Sequence, residues 1–442
     1  MTSPPTRLSS FLIVPVVGVV LSLSCGGVTS SPTPAPSATP TPYAGPPNIV
    51  LILADDLGYG DLSSFGSTTI KTPNIDRIAT EGVRLTGLTV PAAICAASRA
   101  ALMTGRHPIR AGVPWNPPVR LRDRELTVAD LLRARGYATG ILGKWHLGWE
   151  SEDMPTRHGF DFFFGTPSGD ERQFWSGDQP TDDGAPRELL TERYTQDAIR
   201  WMQSVKDRPF FLYLAHPAPH EPLVASPPFV GRSAGGVYGD VVEELDANVG
   251  LVVQAVKDLG LDDKTLVIFA SDNGPTRALG SIGGSSGPFS GGKGSCLEGG
   301  LRVPAMMRWP GRIPPGRTVA DNTSTLDLLP TFVALAGGSL PPDRLYTGLD
   351  LTGLITGALN RLPGPGIDGG REALHYFSRT PSAIRTGRFK YLAPGFWSVT
   401  PGLFDLDADP AENVDLRASR PDLEVLLRVR LQELADQVAE NP

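Results

Sequence analysis

The stretch "NIVLILADDLG", residues 48 to 58, decides the fold. After Asn48 come six apolar residues without alternation, which reads as a strand over 48–54 buried on both faces. Such strands belong to largely parallel sheets flanked by helices. The run ends in Asp55 and Asp56, two carboxylates at the carboxyl end of a strand, where open α/β sheets bind ligands. Taken alone, "ADDLG" is a turn and helix cap.

The same texture recurs outward from this strand. "TPNIDRIATEG" (72–82) predicts a short helix with Thr72 as cap, Pro73 at its first position and Gly82 as its stop. "LTVADLLRARG" repeats that logic with Thr127 and Gly136, then "YATGILG" begins another strand. "PFFLYLA" (209–215) and "TLVIFA" (265–270) predict two more. Between them, "GDVVEELDANVGLVVQAVKDLG" places Val242, Leu245, Val249, Val252 and Val256 on one stripe of a long helix. From about residue 372, "ALHYFSR", "SAIRTG", "RFKYLAPG" and "GLFDLD" are short segments between turn residues, which predict a small antiparallel sheet. The final helix is "RPDLEVLLRVRLQELADQVAE". No 20- to 50-residue period repeats, which excludes a solenoid.

The net charge of -7 comes from interspersed charges, with no basic run to neutralise a nucleic-acid backbone. Nucleic acid is excluded as the expected partner. Arg7 precedes "FLIVPVVGVVLSLS", an apolar stretch of signal-peptide length. The following "LSLSCGG" resembles a bacterial lipoprotein cleavage site, although Ser22 stands where that pattern usually has leucine. "SPTPAPSATPTP" is a tether that cannot pack a core. The expected layout is a lipoprotein-type signal peptide over 1–25, a Pro/Ser/Thr-rich linker over 26–46, the main α/β domain over 47–371 and a C-terminal subdomain over 372–442. This implies an exported protein, periplasmic or on the cell surface, anchored to a membrane by lipid on Cys25. Three cysteines, Cys25, Cys95 and Cys296, allow one disulfide at most. Cys296 reads as small buried filler.

Polar groups gather at every expected strand end. Beside Asp55 and Asp56 stand Lys144 and His146 in "GKWHLG", His216 and His220 in "HPAPHEP", and Asp272 and Asn273 in "SDNG". Asp55, Asp56, Asp272 and Asn273 offer oxygen donors, which suit a hard divalent cation such as Ca²⁺ or Mg²⁺ better than zinc. Arg99, Lys144 and Lys293, the last in "GGKGSCLEGG", can ring an anionic group that the metal also grips. His146 and His220 are candidates for proton transfer. Cys95 opens an alanine-rich helix in "TVPAAICAASRAALMTGRHPIRAG" (89–112).

These blocks resemble the type I sulfatases of the alkaline-phosphatase superfamily over Asn48 to about Leu416. "CAASR" fits the signature Cys-x-Pro/Ala-x-Arg, with Ala97 where most members have proline. "GYATGILGKWHLG", "APHEP" and "SDNG" fit further family blocks in order, and "GGSSGPFSGGKGSCLEGG" is similar in texture to arylsulfatase A and N-acetylgalactosamine-6-sulfatase.

The resemblance implies an alkaline-phosphatase-like sandwich and hydrolysis of aryl or carbohydrate sulfate esters. It further implies that a formylglycine-generating maturation enzyme oxidises Cys95 to Cα-formylglycine. One hydroxyl of the hydrated aldehyde attacks sulfur, giving a sulfo-enzyme intermediate, and the second expels inorganic sulfate. A serine would lack that second hydroxyl. By the same resemblance Asp55, Asp56, Asp272, Asn273 and residue 95 hold one Ca²⁺, Mg²⁺ being the lesser candidate. Arg99 and Lys144 hold the diol and neutralise charge, with His146 as its partner. His220 and Lys293 contact the sulfate ester and assist the leaving oxygen. Ser168 in "FFGTPSGD" matches a serine lining some members' sites, one residue out of register, and His216 supports the wall. Two alternatives stay open: a phosphonate monoester or phosphodiester hydrolase using the same site, and a non-catalytic lipoprotein that binds sulfated glycans. The second would show losses among the ligands and cations, and none is lost.

Overall fold

The strand Asn48–Ala54 is wholly enclosed and pairs in parallel with Phe210–Ala215 on one side and Thr265–Ser271 on the other. The computed structural model describes residues 43–440 apart from 117–118, 170–172 and 395–399. The expectations for the signal peptide, for Cys25 and for most of the tether lie outside the described residues.

Around this strand stands a ten-stranded sheet, in the order Arg317–Val319, Val83–Leu85, Ala305–Arg308, Thr265–Ser271, Asn48–Ala54, Phe210–Ala215, Ala138–Lys144, Phe162–Thr166, Phe174–Ser176 and Gln179–Thr181. Its middle, from Thr265–Ser271 to Phe162–Thr166, is parallel. Antiparallel pairing begins at Ala305–Arg308 and at Phe174–Ser176. All carboxyl ends of the parallel strands therefore open on one edge.

The unbroken apolar run of the first strand follows from the two layers of helices. Ile49, Leu51 and Leu53 face a core shared with Ala96, Ala100 and Met103 of the helix Cys95–Thr104 and with Phe332 of Leu328–Leu335. Val50, Ile52 and Ala54 face the opposite core, shared with Ile75 and Ile78 of Pro73–Thr80, Tyr194 of Leu190–Val205, and Val242, Leu245 and Val249 of Gly236–Asp258. Each fully buried aliphatic side chain contributes about 1.5–3 kcal/mol.

Residues 372 onward form the expected antiparallel sheet of Glu372–Phe377, Thr380–Thr386, Phe389–Leu392 and Gly402–Asp405. The helix Pro421–Glu440 lays Leu423, Leu427 and Leu431 on Ile384, Tyr391 and Leu403 of that sheet.

Two local expectations are refined. Thr127 caps its helix through its hydroxyl, which accepts from the Asp130 N–H, whereas Thr72 holds the N-cap position without a side-chain cap bond: its hydroxyl accepts from the Ser63 N–H at 2.9 Å and donates to Asp76 at 3.1 Å. Gly82 is required by close approach, since a Cβ there would lie 2.0 Å from the Met307 carbonyl oxygen of the neighbouring strand.

Candidate active site

The chain leaves each central strand through a constrained turn. Asp56, just past the first strand, adopts a left-handed backbone with φ of 64°, and its N–H donates to Asp272 Oδ1 at 3.1 Å. Ser271 joins the two turns: its hydroxyl accepts from the Leu57 N–H at 3.0 Å and donates to the Asn273 carbonyl at 2.8 Å. At the end of Ala138–Lys144, Gly143 has φ of 103° and passes so close to Ala215 that a Cβ would lie 2.0 Å from that carbonyl oxygen. His146 follows, also left-handed with φ of 63°, its N–H donating to the Pro167 carbonyl at 2.8 Å. Non-glycine residues held in this region store strain of order 1–3 kcal/mol each, and such strain clusters at functional sites.

Cys95 is the first residue of the helix Cys95–Thr104 and is buried. Its Sγ lies 3.5 Å from Asp55 Oδ1 and 3.8 Å from Asp56 Oδ1. Arg99, one turn on and so on the same helix face, reaches Asp272 Oδ2 through Nε at 3.0 Å and Nη2 at 2.8 Å. Its Nη1 donates to the Lys144 carbonyl at 3.1 Å and to the Tyr213 hydroxyl at 3.3 Å. Lys144 Nζ meets Asp55 Oδ2 at 2.6 Å, and Lys293 Nζ meets Asp56 Oδ2 at 2.7 Å. Asn273 Nδ2 donates to Asp56 Oδ1 at 2.6 Å, and His220 Nε2 lies 3.6 Å from Asp56 Oδ2.

The electrostatics follow from enclosure. Burial on its own would raise the Asp55 carboxyl, but Lys144, His220, Arg99 and Lys293 together hold it well below the usual carboxylate range. Burial and the charge of Asp55 push Asp272 up to about 6. Burial, with Lys144 and Arg99 beside it, keeps the His146 imidazole neutral, far below its ordinary value. Burial likewise drives the Cys95 thiol well above its ordinary value, so an unmodified Cys95 is a poor nucleophile.

The residues fit a hard divalent cation. Ligand atoms of Asp55, Asp56, Cys95 and His220 all lie within 4.8 Å of one another. Asp272 is one hydrogen bond from that group, and the buried Asn273 Oδ1 has no hydrogen-bond partner among the described residues. An orphaned buried oxygen beside clustered carboxylates is what an oxygen-seeking ion satisfies.

The fold thus gathers ten residues singled out in the sequence: Asp55, Asp56, Cys95, Arg99, Lys144, His146, His220, Asp272, Asn273 and Lys293. Ser168 is half-buried just beyond Phe162–Thr166. The adjacent Gly169 packs on the site, a Cβ there lying 3.0 Å from Lys144 Cε and 3.6 Å from the His146 ring. His216 is fully buried just past the strand Phe210–Ala215, and burial pushes its imidazole down to about 3. Sequence reasoning missed Tyr213, whose hydroxyl holds Arg99; inside "FFLYLA" it carries only the signal of a core strand residue.

A buried nucleophile position, adjoining carboxylates that can hold a cation and a ring of fixed positive charges define a hydrolase of anionic esters on an α/β scaffold. The sulfatase family model matches residues 47–339. The chain is 40% identical to arylsulfatase A of Homo sapiens over 434 residues, covering 84% of both chains. It is 36% identical to N-acetylgalactosamine-6-sulfatase of Canis lupus familiaris, covering 90% of this chain and 79% of that one. Among solved structures it is similar to Ps i-CgsB, with a TM-score of 0.79 and 31% identity over 88% of this chain and 92% of the other. The chain belongs to the sulfatase family and is a sulfuric ester hydrolase.

Proposed function

We propose that the chain hydrolyses aryl or carbohydrate sulfate monoesters through residue 95, converted from cysteine to formylglycine. The carrying observation is the position of Cys95 Sγ, 3.5 Å and 3.8 Å from two carboxylates at a helix start and ringed by Arg99, Lys144 and Lys293. Hydrated formylglycine supplies one hydroxyl that attacks sulfur and a second through which sulfate is expelled. Because the folded chain encloses residue 95, conversion belongs to a separate maturation enzyme acting before folding.

Asp55, Asp56, Asp272 and Asn273 would hold one Ca²⁺, which supplies positive charge to polarise the sulfate oxygens. Lys144 and Lys293 neutralise the anion from two sides, and Arg99 is fixed by Asp272 and Tyr213 so that its charge needs no reorganisation. His146, neutral in its buried setting near Lys144, Arg99 and Asp55, offers Nδ1, which has no hydrogen-bond partner among the described residues, as a proton acceptor. Mass spectrometry of the peptide containing residue 95, paired with sulfate release from an aryl sulfate, tests the reading. An aldehyde at residue 95 in active protein supports it, and full turnover with an unmodified thiol overturns it.

We further propose export and anchoring through lipid on Cys25, supported by "LSLSCGG" and the proline-rich tether after it. Cell fractionation should find the protein with membranes, and Cys25→Ser should release it. A wholly soluble wild type beginning at another residue would remove the anchor.

A further inference from the structure

The segment that carries Cys95 is held from two directions. On one, the Gly294 N–H donates to the Ala93 carbonyl at 2.7 Å, which ties the Lys293 loop to it. On the other stands an aromatic pair. Trp115 packs on Ala92, Ile94 and Ala97, residues on both sides of Cys95. The next side chain, Asn116, accepts from the Ala96 N–H at 3.0 Å, so this loop is pinned one residue from the nucleophile position. Trp115 meets Phe377 edge to face, ring centroids 4.7 Å apart at 64°. Phe377 ends the strand Glu372–Phe377, and that strand is fixed to the same segment: the Tyr376 N–H donates to the Pro91 carbonyl at 3.3 Å, and His375 Nδ1 lies 3.1 Å from the Val90 carbonyl.

Both aromatic rings are half-buried, whereas Cys95 and Arg99 are enclosed. An indole left partly in water against the segment that bears Cys95 keeps apolar surface whose burial by a ligand is favourable. The cations and carboxylates face the ester's charged end, so the aromatic pair is left for the group on the other side of the ester oxygen. A flat apolar face suits a six-membered ring, through π contact with an aryl group or through the C–H face of a pyranose. A short open chain covers less of it.

We propose that Trp115, braced by Phe377, is the specificity-determining wall of the site and selects sulfate esters whose alcohol is a six-membered ring. This rests on the sulfatase reading above. It also gives the C-terminal sheet a part in substrate choice, since Phe377 is delivered by that sheet and not by the parallel one.

The test uses the matured enzyme with three substrates: an aryl sulfate, a pyranose sulfate and a short acyclic alkyl sulfate. Trp115→Ala should lower kcat/KM on the ring substrates about tenfold more than on the alkyl sulfate, chiefly by raising KM, because the contact exists before and during reaction. Trp115→Phe should recover most of the preference. Phe377→Ala should move the ratio the same way by a smaller factor, and it supplies the answer if Trp115→Ala fails to fold. Loss of preference for aryl alone, pyranose alone or both identifies which ring the wall serves. Equal losses on ring and chain substrates, or a fall in kcat with KM unchanged, would overturn the wall. A wild type inactive on all three would instead defeat the sulfatase reading beneath it.

Discussion

Arg99 and Asp272 meet at 2.8 Å with both side chains completely enclosed, and this ion pair joins the helix bearing Cys95 to the central sheet. Taking two charges out of water is costly, and the pair stands because its remaining polar atoms are engaged by Tyr213, Lys144 and the Asp56 N–H. Removing one partner strands the other.

Arg99→Met should therefore destabilise the fold by about 3–5 kcal/mol as well as abolish turnover. Urea denaturation of the purified variant checks the first part. A midpoint equal to that of the wild type would show that solvent or an ion takes over the role of Arg99.

Metal removal should act on rate more than on fold. Treatment with a calcium chelator should abolish turnover, and Ca²⁺ should restore it. Asp272→Ala should lose both bound metal and rate, because its carboxylate organises the Asp56 turn as well as Arg99. Elemental analysis that finds stoichiometric zinc in the active wild type contradicts an oxygen-ligated hard cation.

Acid should weaken the packing of the C-terminal sheet, where His375 reaches the Val90 carbonyl and His107 meets the Tyr376 ring. His107 and His375 are buried there, and burial pushes both down to about 3, with Arg110 beside the first and Lys390 beside the second adding to the effect. The unfolded chain takes up these protons near pH 6.5 while the folded chain does not. Stability is therefore complete above about pH 6.5 and falls as pH drops, by up to about 1.4 kcal/mol per pH unit for each histidine. The urea midpoint should fall between pH 6.5 and 5, and His375→Gln should flatten that slope. An unchanged slope in the variant would assign the acid lability to other groups.

The first strand was legible because both of its faces are covered, which leaves the continuous apolar run from Ile49 to Ala54. The site was legible because a doubly wound sheet delivers its strand ends to one edge, so acids, amides and cations scattered over more than 200 positions converge. What stayed hidden depends on tertiary partners. Tyr213 looks like core until Arg99 is placed beside it, and Trp115 lies in a proline-rich loop with no periodicity. Lys390 draws no reading inside "RFKYLAPG", yet it is fully buried between Glu298 and Glu412 at 2.9 Å from each. No local pattern marks a lysine whose counter-ions come from distant segments.

His220 stands at the mouth of the site, its side chain 28% exposed, with Nδ1 2.7 Å from the Glu221 carbonyl and Nε2 turned toward Asp56. The Glu221 contact assigns the proton on Nδ1 and leaves Nε2 to face the substrate, where a protonated ring can give a proton to the departing oxygen. A sugar alcohol needs that proton because an alkoxide is a poor leaving group, whereas a nitrophenolate departs with little help. General acid catalysis is typically worth about 10²- to 10⁴-fold. His220→Ala should accordingly slow S–O cleavage of a pyranose sulfate far more than that of nitrophenyl sulfate, as read from single-turnover rates. Because His220 also lies within 4.8 Å of the carboxylate group, calcium affinity must be measured in the same variant. A weakened affinity with equal rate losses on both substrates would make His220 a metal ligand. Unchanged affinity with equal losses would make it a sulfate-holding group, and only the unequal losses assign it as the acid.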